Sequence, residues 1–227
     1  MAEPLGGGPP PAADGSTTDA REPVEDWLAQ RIADAVPGEQ PEALLRALRT
    51  LGRWDRRAYE SVAGWSTPLL DEPMRLVAQV ANHSKPWIAT AAVLATFGGR
   101  RGRTAALAGL AAVAATSFVV NQPMKRAGDR RRPDRHALQV PVPRWVPMPT
   151  STSFPSGHSA SAAAFAAAVG HVLPELRIPL RGAAALVALS RVYTGVHYPG
   201  DVAVGAVTGA VVGRSAAGLV VRVTTSS

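Results

Sequence analysis

Between Thr104 and Met124 the chain runs for 21 residues without a charged side chain. A helix over that run is about 30 Å long, enough to cross the hydrocarbon core of a bilayer. A fold containing such a segment must either enclose it or stand it in lipid. Four more apolar segments accompany it: Pro86–Gly99, Ser159–Leu173 with only His171 titratable, Gly182–Val196 with only Arg191 charged, and Val202–Val221 with only Arg214 charged. Met74–Val80 reads as a shorter helix leading in. Several of these are too short to span alone. Joined by short connectors, they predict an all-α integral membrane bundle of about five to six core helices. Gly205, Gly209 and Gly213 repeat every fourth residue, the spacing with which membrane helices pack closely. In a chain with 21 glycines the same spacing also arises by chance.

Composition narrows the function classes. There is no cysteine, which excludes a disulfide framework, a thiol nucleophile and a Cys-based metal site. The net charge is +7, and all but Lys85 and Lys125 of the basic groups are arginines. Many of these arginines flank apolar runs, which favours a membrane and phosphate groups as partners over nucleic acid.

Residues 1–20 are rich in Pro, Gly and small polar residues, are expected to be disordered, and lack the basic start and apolar run of a secretory signal. Residues 21–64 are expected to form amphipathic helices. One carries Val24, Trp27, Leu28, Ile32 and Ala35 on one side and breaks at Pro37-Gly38. The next follows Pro41 with Leu44, Leu45, Leu48, Leu51, Trp54, Tyr59 and Val62 near helical spacing, opposite Arg46, Arg49, Arg53, Arg56 and Arg57. It either lies on an anionic bilayer surface or packs on the domain with a solvated face. Residues 65–223 are expected to form the helical membrane domain.

Three stretches carry chemistry: KRAGDRRRP (Lys125–Pro133), PSGH (Pro155–His158) and SRVYTGVHYPGD (Ser190–Asp201). If successive helices alternate in direction, all three reach the same end of the bundle, with Arg191 about 9 Å deeper than His197. Arg100, Arg101, Arg103, Arg177, Arg181 and Arg222 fall at the other end. The positive-inside rule puts that end in the cytoplasm and the three stretches on the extracytoplasmic face of the cell (inner) membrane.

Lys125, Arg132 and Arg191 offer three cations to one anion, and an arginine inside an apolar helix marks function more often than a structural pair. Ser156 and Gly157 open a helix whose free N–H groups suit a phosphate, although a Ser-capped helix start also reads this way. His158 and His197 supply a nucleophile and a general acid, and Asp201 can fix the tautomer of His197. His158, His197 and Asp201 as metal ligands is the competing chemistry, disfavoured by the surrounding cations. Arg126, Arg130, Arg131 and Arg135 read as a solvated basic loop in preference to a second phosphate site. Asn82, His83 and Lys85 read as a polar turn near the motif end, with a role at the mouth of a headgroup site as the alternative. His136 and His171 read as incidental.

Lys125 followed by six residues and Arg132-Pro133, then PSGH, then Ser190-Arg191, five residues, His197, three residues and Asp201, resembles the three-part signature of the type-2 phosphatidic acid phosphatase superfamily, over roughly residues 65–222. The resemblance implies a helical-bundle hydrolase needing no metal or other cofactor and acting on a lipid phosphate, such as a polyprenyl diphosphate, phosphatidic acid or a polyprenyl-linked sugar phosphate. His197 would form a phosphohistidine with Asp201 orienting it. His158 would serve the leaving group and then water. Lys125, Arg132, Ser156, Gly157 and Arg191 would hold the phosphate. Soluble acid phosphatases, vanadate haloperoxidases and lipid phosphotransferases share the signature; the uncharged run and the glycine repeat favour the membrane branch. A catalytically silent lipid-binding scaffold is a further alternative. No sequence feature sets an oligomeric state.

Overall fold

The computed structural model describes residues 25–36 and 38–225. The expected disorder of residues 1–20, and Val24 with it, lies outside the described residues. The elements are all helical: α1 (Trp27–Ala35), α2 (Glu42–Ala63), α3 (Pro68–Val80), α4 (Lys85–Phe97), α5 (Gly99–Val119), α6 (Lys125–Gly128), α7 (Gly157–Val172), α8 (Arg177–Tyr193) and α9 (Pro199–Thr225), with no strand among the described residues. The expected all-α bundle is observed.

The apolar runs become helices with small shifts of boundary that have local causes. Gly99 sits at φ +60°, a conformation open to glycine, and lets α4 turn sharply into α5. Because α5 starts there, Arg100, Arg101 and Arg103 form its first turns instead of a loop. Its far end passes through a wide turn, Val120–Met124, that contains Pro123 and continues into α6. Pro123 cannot supply an N–H to the ladder, and the looser turn accommodates it. Helix α3 is longer than the predicted Met74–Val80, because Pro68 fits a first helical turn.

Helix α7 lies at the centre, against α5, α8 and α9. The residues facing its neighbours are mostly alanine, with Phe165 filling the space beside Trp87 of α4. The glycine repeat of α9 packs on it backbone to backbone. A Cβ added at Gly205, Gly209 or Gly213 would sit 2.5, 2.0 and 2.4 Å from the carbonyl oxygens of Ser156, Ala160 and Ala164. No side chain fits in that seam, so the repeat is a packing requirement and not a compositional accident.

The outward faces carry Ile88, Val93, Phe97, Leu107, Phe118, Ile178, Val207, Val211 and Leu219, all exposed. Two helical stretches, Gly99–Gly128 and Pro199–Thr225, are long and apolar enough to cross a membrane, and most of each is left uncovered by the rest of the protein. Apolar faces of this extent call for a non-aqueous neighbour. On α2, Leu48, Tyr59 and Ala63 are buried whereas Leu44, Leu51 and Trp54 are exposed, so only part of its apolar side packs on the bundle.

Candidate active site

The three motif stretches meet at one end of the bundle. A cavity of about 280 Å³ there is lined by Lys125, Arg132, Gly157, His158 and His197, together with His83, Ser84, Ser117, Asn121, Ser151 and Ser161. Alternation of α5, α7, α8 and α9 delivers them, and the loop between α6 and α7 folds back over the same end.

His197 lies between α8 and α9 and is almost fully buried. Its Nε2 is 3.3 Å from Arg132 Nη1. A guanidinium only donates, so Nε2 presents its lone pair to the cavity side and Nδ1 carries the hydrogen. Nδ1 points to Asp201 Oδ2 at 3.5 Å and to Ser153 Oγ at 3.5 Å. Burial pushes the His197 imidazole down to about 4, against the opposing pull of Asp201. The ring is therefore neutral at pH 7 and available to attack an electrophile.

Asp201 is wholly buried and fully engaged. Oδ2 accepts from Ser153 Oγ at 2.5 Å and from the Tyr198 N–H at 2.9 Å, and Oδ1 accepts from Arg130 Nη1 at 2.8 Å. Ser153, which no sequence motif marked, and Arg130, which read only as one of a basic run, thus belong to the site. Arg130 is 4% exposed and ion-paired to both Asp201 and Asp55 of α2. Its burial opposes the charge, but the two carboxylates outweigh it and raise its pKa. Its guanidinium stacks over Tyr198, 4.1 Å from the ring centre. Arg135 is buried as well, donating to the Val146 carbonyl and lying over Trp145. The solvated-loop reading therefore fails for Arg130 and Arg135, because the loop folds inward; Arg126 and Arg131 are on the surface.

Arg132 is held by Ser151 O at 2.8 Å, Val196 O at 2.8 Å and Thr152 O at 3.1 Å, and Lys125 Nζ donates to Ser151 Oγ at 2.9 Å. Burial lowers the Arg132 pKa, so an anion arriving beside it gains a poorly solvated partner. Arg191 is buried near the end of α8. One nitrogen, Nη1, donates to Ala78 O at 3.1 Å, while Nε has no hydrogen-bond partner. It does not line the cavity surface, but its charge acts on both imidazoles.

His158 opens α7, with Nε2 2.9 Å from Asn82 Oδ1. The polar-turn reading therefore changes for Asn82, which holds an imidazole, and for His83, which lines the cavity; Lys85 is exposed outside it. His83 and Ser84 take left-handed backbone angles, φ 56° and 57°, which brings the turn over the cavity. Ser156 departs from expectation. Its hydroxyl caps α7, accepting from the Ser159 N–H at 3.4 Å and sharing a hydrogen bond with Ser159 Oγ at 2.9 Å, and its N–H donates to Asp201 O. It joins α7 to α9 and does not face the cavity. His136 packs edge-on to Trp145, and His171 lies toward the opposite end. Among the described residues, no group of three or more His, Asp or Glu is placed to hold a metal ion.

Residues 105–224 match the family model of the PAP2 superfamily, just over half of the chain. The chain belongs to the PAP2 superfamily. Among its PAP2 relatives, the decaprenylphosphoryl-5-phosphoribose phosphatase of Mycobacterium tuberculosis is 36% identical over 154 residues, covering 64% of this chain and 80% of the relative. The lipid A 1-phosphatase of Rhizobium johnstonii is 38% identical over 90 residues, 38% of this chain and 36% of that one. The transmembrane PAP2 type phosphatidylglycerolphosphate phosphatase from Bacillus subtilis has the same fold, with a TM-score of 0.61 at 22% identity over 85% of this chain and 91% of its own.

Proposed function

We propose that this PAP2 protein is an integral membrane phosphatase that removes a terminal phosphate from a lipid-linked substrate through a phosphohistidine at His197, without a metal ion. The observation that carries the reading is the pair of imidazoles on one basic cavity, with the unprotonated Nε2 of His197 beside Arg132.

In the first half-reaction the Nε2 lone pair attacks phosphorus and the ester P–O bond breaks. The departing oxygen takes its proton from His158, which gains that proton when the negative charge of the bound phosphate offsets the neighbouring cations. Asp201 steadies the positive ring that forms on His197, as a carboxylate does beside a catalytic imidazole. In the second half, His158 accepts a proton from water, the hydroxide attacks phosphorus, the P–N bond breaks and inorganic phosphate leaves. Lys125, Arg132 and the N–H groups at Gly157 hold the phosphoryl oxygens, with Arg191 adding its field. Ser156 contributes by fixing the helix start.

A lipid substrate suits the surroundings. A larger groove of about 440 Å³ between α7, α8 and α9 begins at Ser159, next to His158, and is floored by Ala163, Ala166, Ala167, Ala184, Ala188 and Ala210. It gives an apolar chain room to lie along the bundle, and Arg177, Arg181 and Arg214 also line it. The leaving-group side is polar, with His83, Ser84, Ser117, Asn121 and Ser161. That lining favours a phosphate on a hydroxylated headgroup, such as a polyprenyl-linked sugar phosphate, over a diphosphate. Of the four arginines that could hold a second phosphate, Arg130 and Arg135 are engaged elsewhere, and Arg126 and Arg131 lie on the surface and do not line the cavity. Arg100, Arg101, Arg103, Arg177 and Arg181 are exposed at the opposite end, which supports placing the site on the extracytoplasmic face of the cell membrane. Residues 65–223 then form the catalytic unit, with the preceding helices applied to its active-site end.

Purified protein in detergent is expected to release phosphate from a polyprenyl-linked sugar phosphate, undiminished by chelator. His197→Ala is expected to abolish release, by at least ~10⁴-fold, with the folded protein intact. Release that survives in this variant rejects the mechanism.

A further inference from the structure

The stretch matched to the PAP2 family begins at residue 105, yet the site depends on a carboxylate far upstream. Asp55, in the middle of α2, accepts from Arg130 Nη2 at 2.7 Å through Oδ2 and from the Gly200 N–H at 2.6 Å through Oδ1. Arg130 passes its other terminal nitrogen to Asp201 at 2.8 Å. The chain of contacts runs from α2 through the loop into the first turn of α9 and ends on the nucleophile's carboxylate. Asp55 thus touches the carrier of Asp201 in two ways: it holds the guanidinium that grips the carboxylate, and it holds the backbone one residue before it.

Two further observations show that the region is built for this. Gly200 has no side chain where one would collide with Asp55: an added Cβ would lie 2.9 Å from Oδ2. Helix α1 holds the end of α6 just before Arg130, and the loop at Phe154. Trp27 Nε1 donates to Gly128 O at 2.6 Å, Arg31 donates to Ala127 O, and the Trp27 ring packs on Phe154. Arg130 also lies over the Trp27 ring.

We infer that Asp55 is a positioning residue for the phosphoryl-transfer step: with Arg130 it holds Asp201 toward His197 Nδ1, and the α1–α2 hairpin is therefore part of the active site. The inference rests on the reading of His197 as nucleophile. The physical reason lies in charge balance. Arg130 is buried between two carboxylates, so neither is fully neutralised by it. Without Asp55 the guanidinium has Asp201 alone, pulls the carboxylate toward itself, and leaves His197 facing Arg132 and Arg191, the neighbouring His158, and a weakened acceptor.

The test compares wild type, Asp55→Asn, Asp55→Glu and Gly200→Ala in detergent. Asp55 touches no substrate atom, so the isosteric Asn is expected to lower kcat about 10–100-fold, the effect of one lost charge-assisted hydrogen bond, with KM unchanged. Glu is expected to restore part of the loss. Gly200→Ala, which displaces Asp55 without altering charge, is expected to lower kcat in the same manner. The acid limb of kcat/KM that reports protonation of His197 moves to lower pH in Asp55→Asn, because removing a negative charge disfavours the imidazolium. Equal kcat, or a loss of kcat with no movement of the limb and no recovery in Glu, overturns the inference.

A turnover-free arm keeps it separable from the functional reading. Orthovanadate can take up the five-coordinate geometry of the transfer and bond to the nucleophile, whereas inorganic phosphate only occupies the cavity. Asp55→Asn is expected to weaken orthovanadate about tenfold and leave phosphate binding unchanged. Loss of both, or of neither, overturns the inference even if no lipid phosphate proves to be a substrate. Wild-type protein inert toward lipid phosphates would sink the functional reading alone.

Discussion

The α7–α9 seam and the junction between the N-terminal helices and the active-site loop are held by opposite means. The seam has almost no polar side chains. Glycine on α9 meets backbone carbonyls on α7, and alanines fill the flanks. The junction is held by charges and aromatic groups. Besides Asp55, Arg130 and Trp27, Arg144 in the α6–α7 loop is wholly buried and pairs with Asp71 of α3 at 2.8 Å, reaches the carbonyls of Val62, Ala63 and Trp65, and lies over the Tyr193 ring. Tyr193 Oη donates to the same Asp71 oxygen at 2.5 Å. In lipid there is no hydrophobic drive between helices, so closeness of backbones does the holding. At the bundle's mouth water competes, and direction comes from paired charges removed from it.

Three substitutions probe the contrast in order of expected size. Gly209→Leu places side-chain atoms where a Cβ already meets Ala160 O at 2.0 Å. It is expected to prevent assembly of the bundle, seen as loss of monodisperse protein in detergent; Gly218→Leu, with open space around it, is expected to have no such effect. Next, Asp71→Asn leaves the Arg144 guanidinium buried without its counter-charge. About 3–5 kcal/mol of stability is expected to be lost, read as a large fall in Tm with the seam intact. Smallest, Arg46→Gln breaks an exposed pair with Glu42 at 3.8 Å and is expected to leave Tm unchanged. A Gly209 variant that folds normally, or an Asp71 variant as stable as wild type, would erase the distinction between the two regions.

The contrast also explains what the amino-acid sequence disclosed. The seam was legible, because periodicity and a four-residue glycine spacing are local signals with one structural meaning. The gathering of Lys125, Arg132, Gly157, His158 and His197 was legible too, since alternating helices leave little choice of end. The junction was not. Arg130 looks like any member of a basic run until the loop folds inward, and nothing near Asp55 distinguishes it from other acids on an amphipathic helix. Ser156 misled because a helix-opening serine has two uses, and here the hydroxyl serves the cap. Asn82 was placed at the right end, but its partner His158 is 76 residues away. These are properties of tertiary approach, which local spacing does not encode.

Because α9 rides on α7 carbonyls with no intervening side chain, the helix that presents His158 and the helix that begins beside His197 share one fixed ruler. A slip of one residue along it would move His158 and the start of α9 about 1.5 Å apart in height, more than the proposed in-line displacement tolerates. The lipid-facing sides of both helices take no part in that measurement. They are free to follow whatever bilayer, or whatever hydrocarbon chain, the protein meets, while the distance from His158 to His197 stays constant.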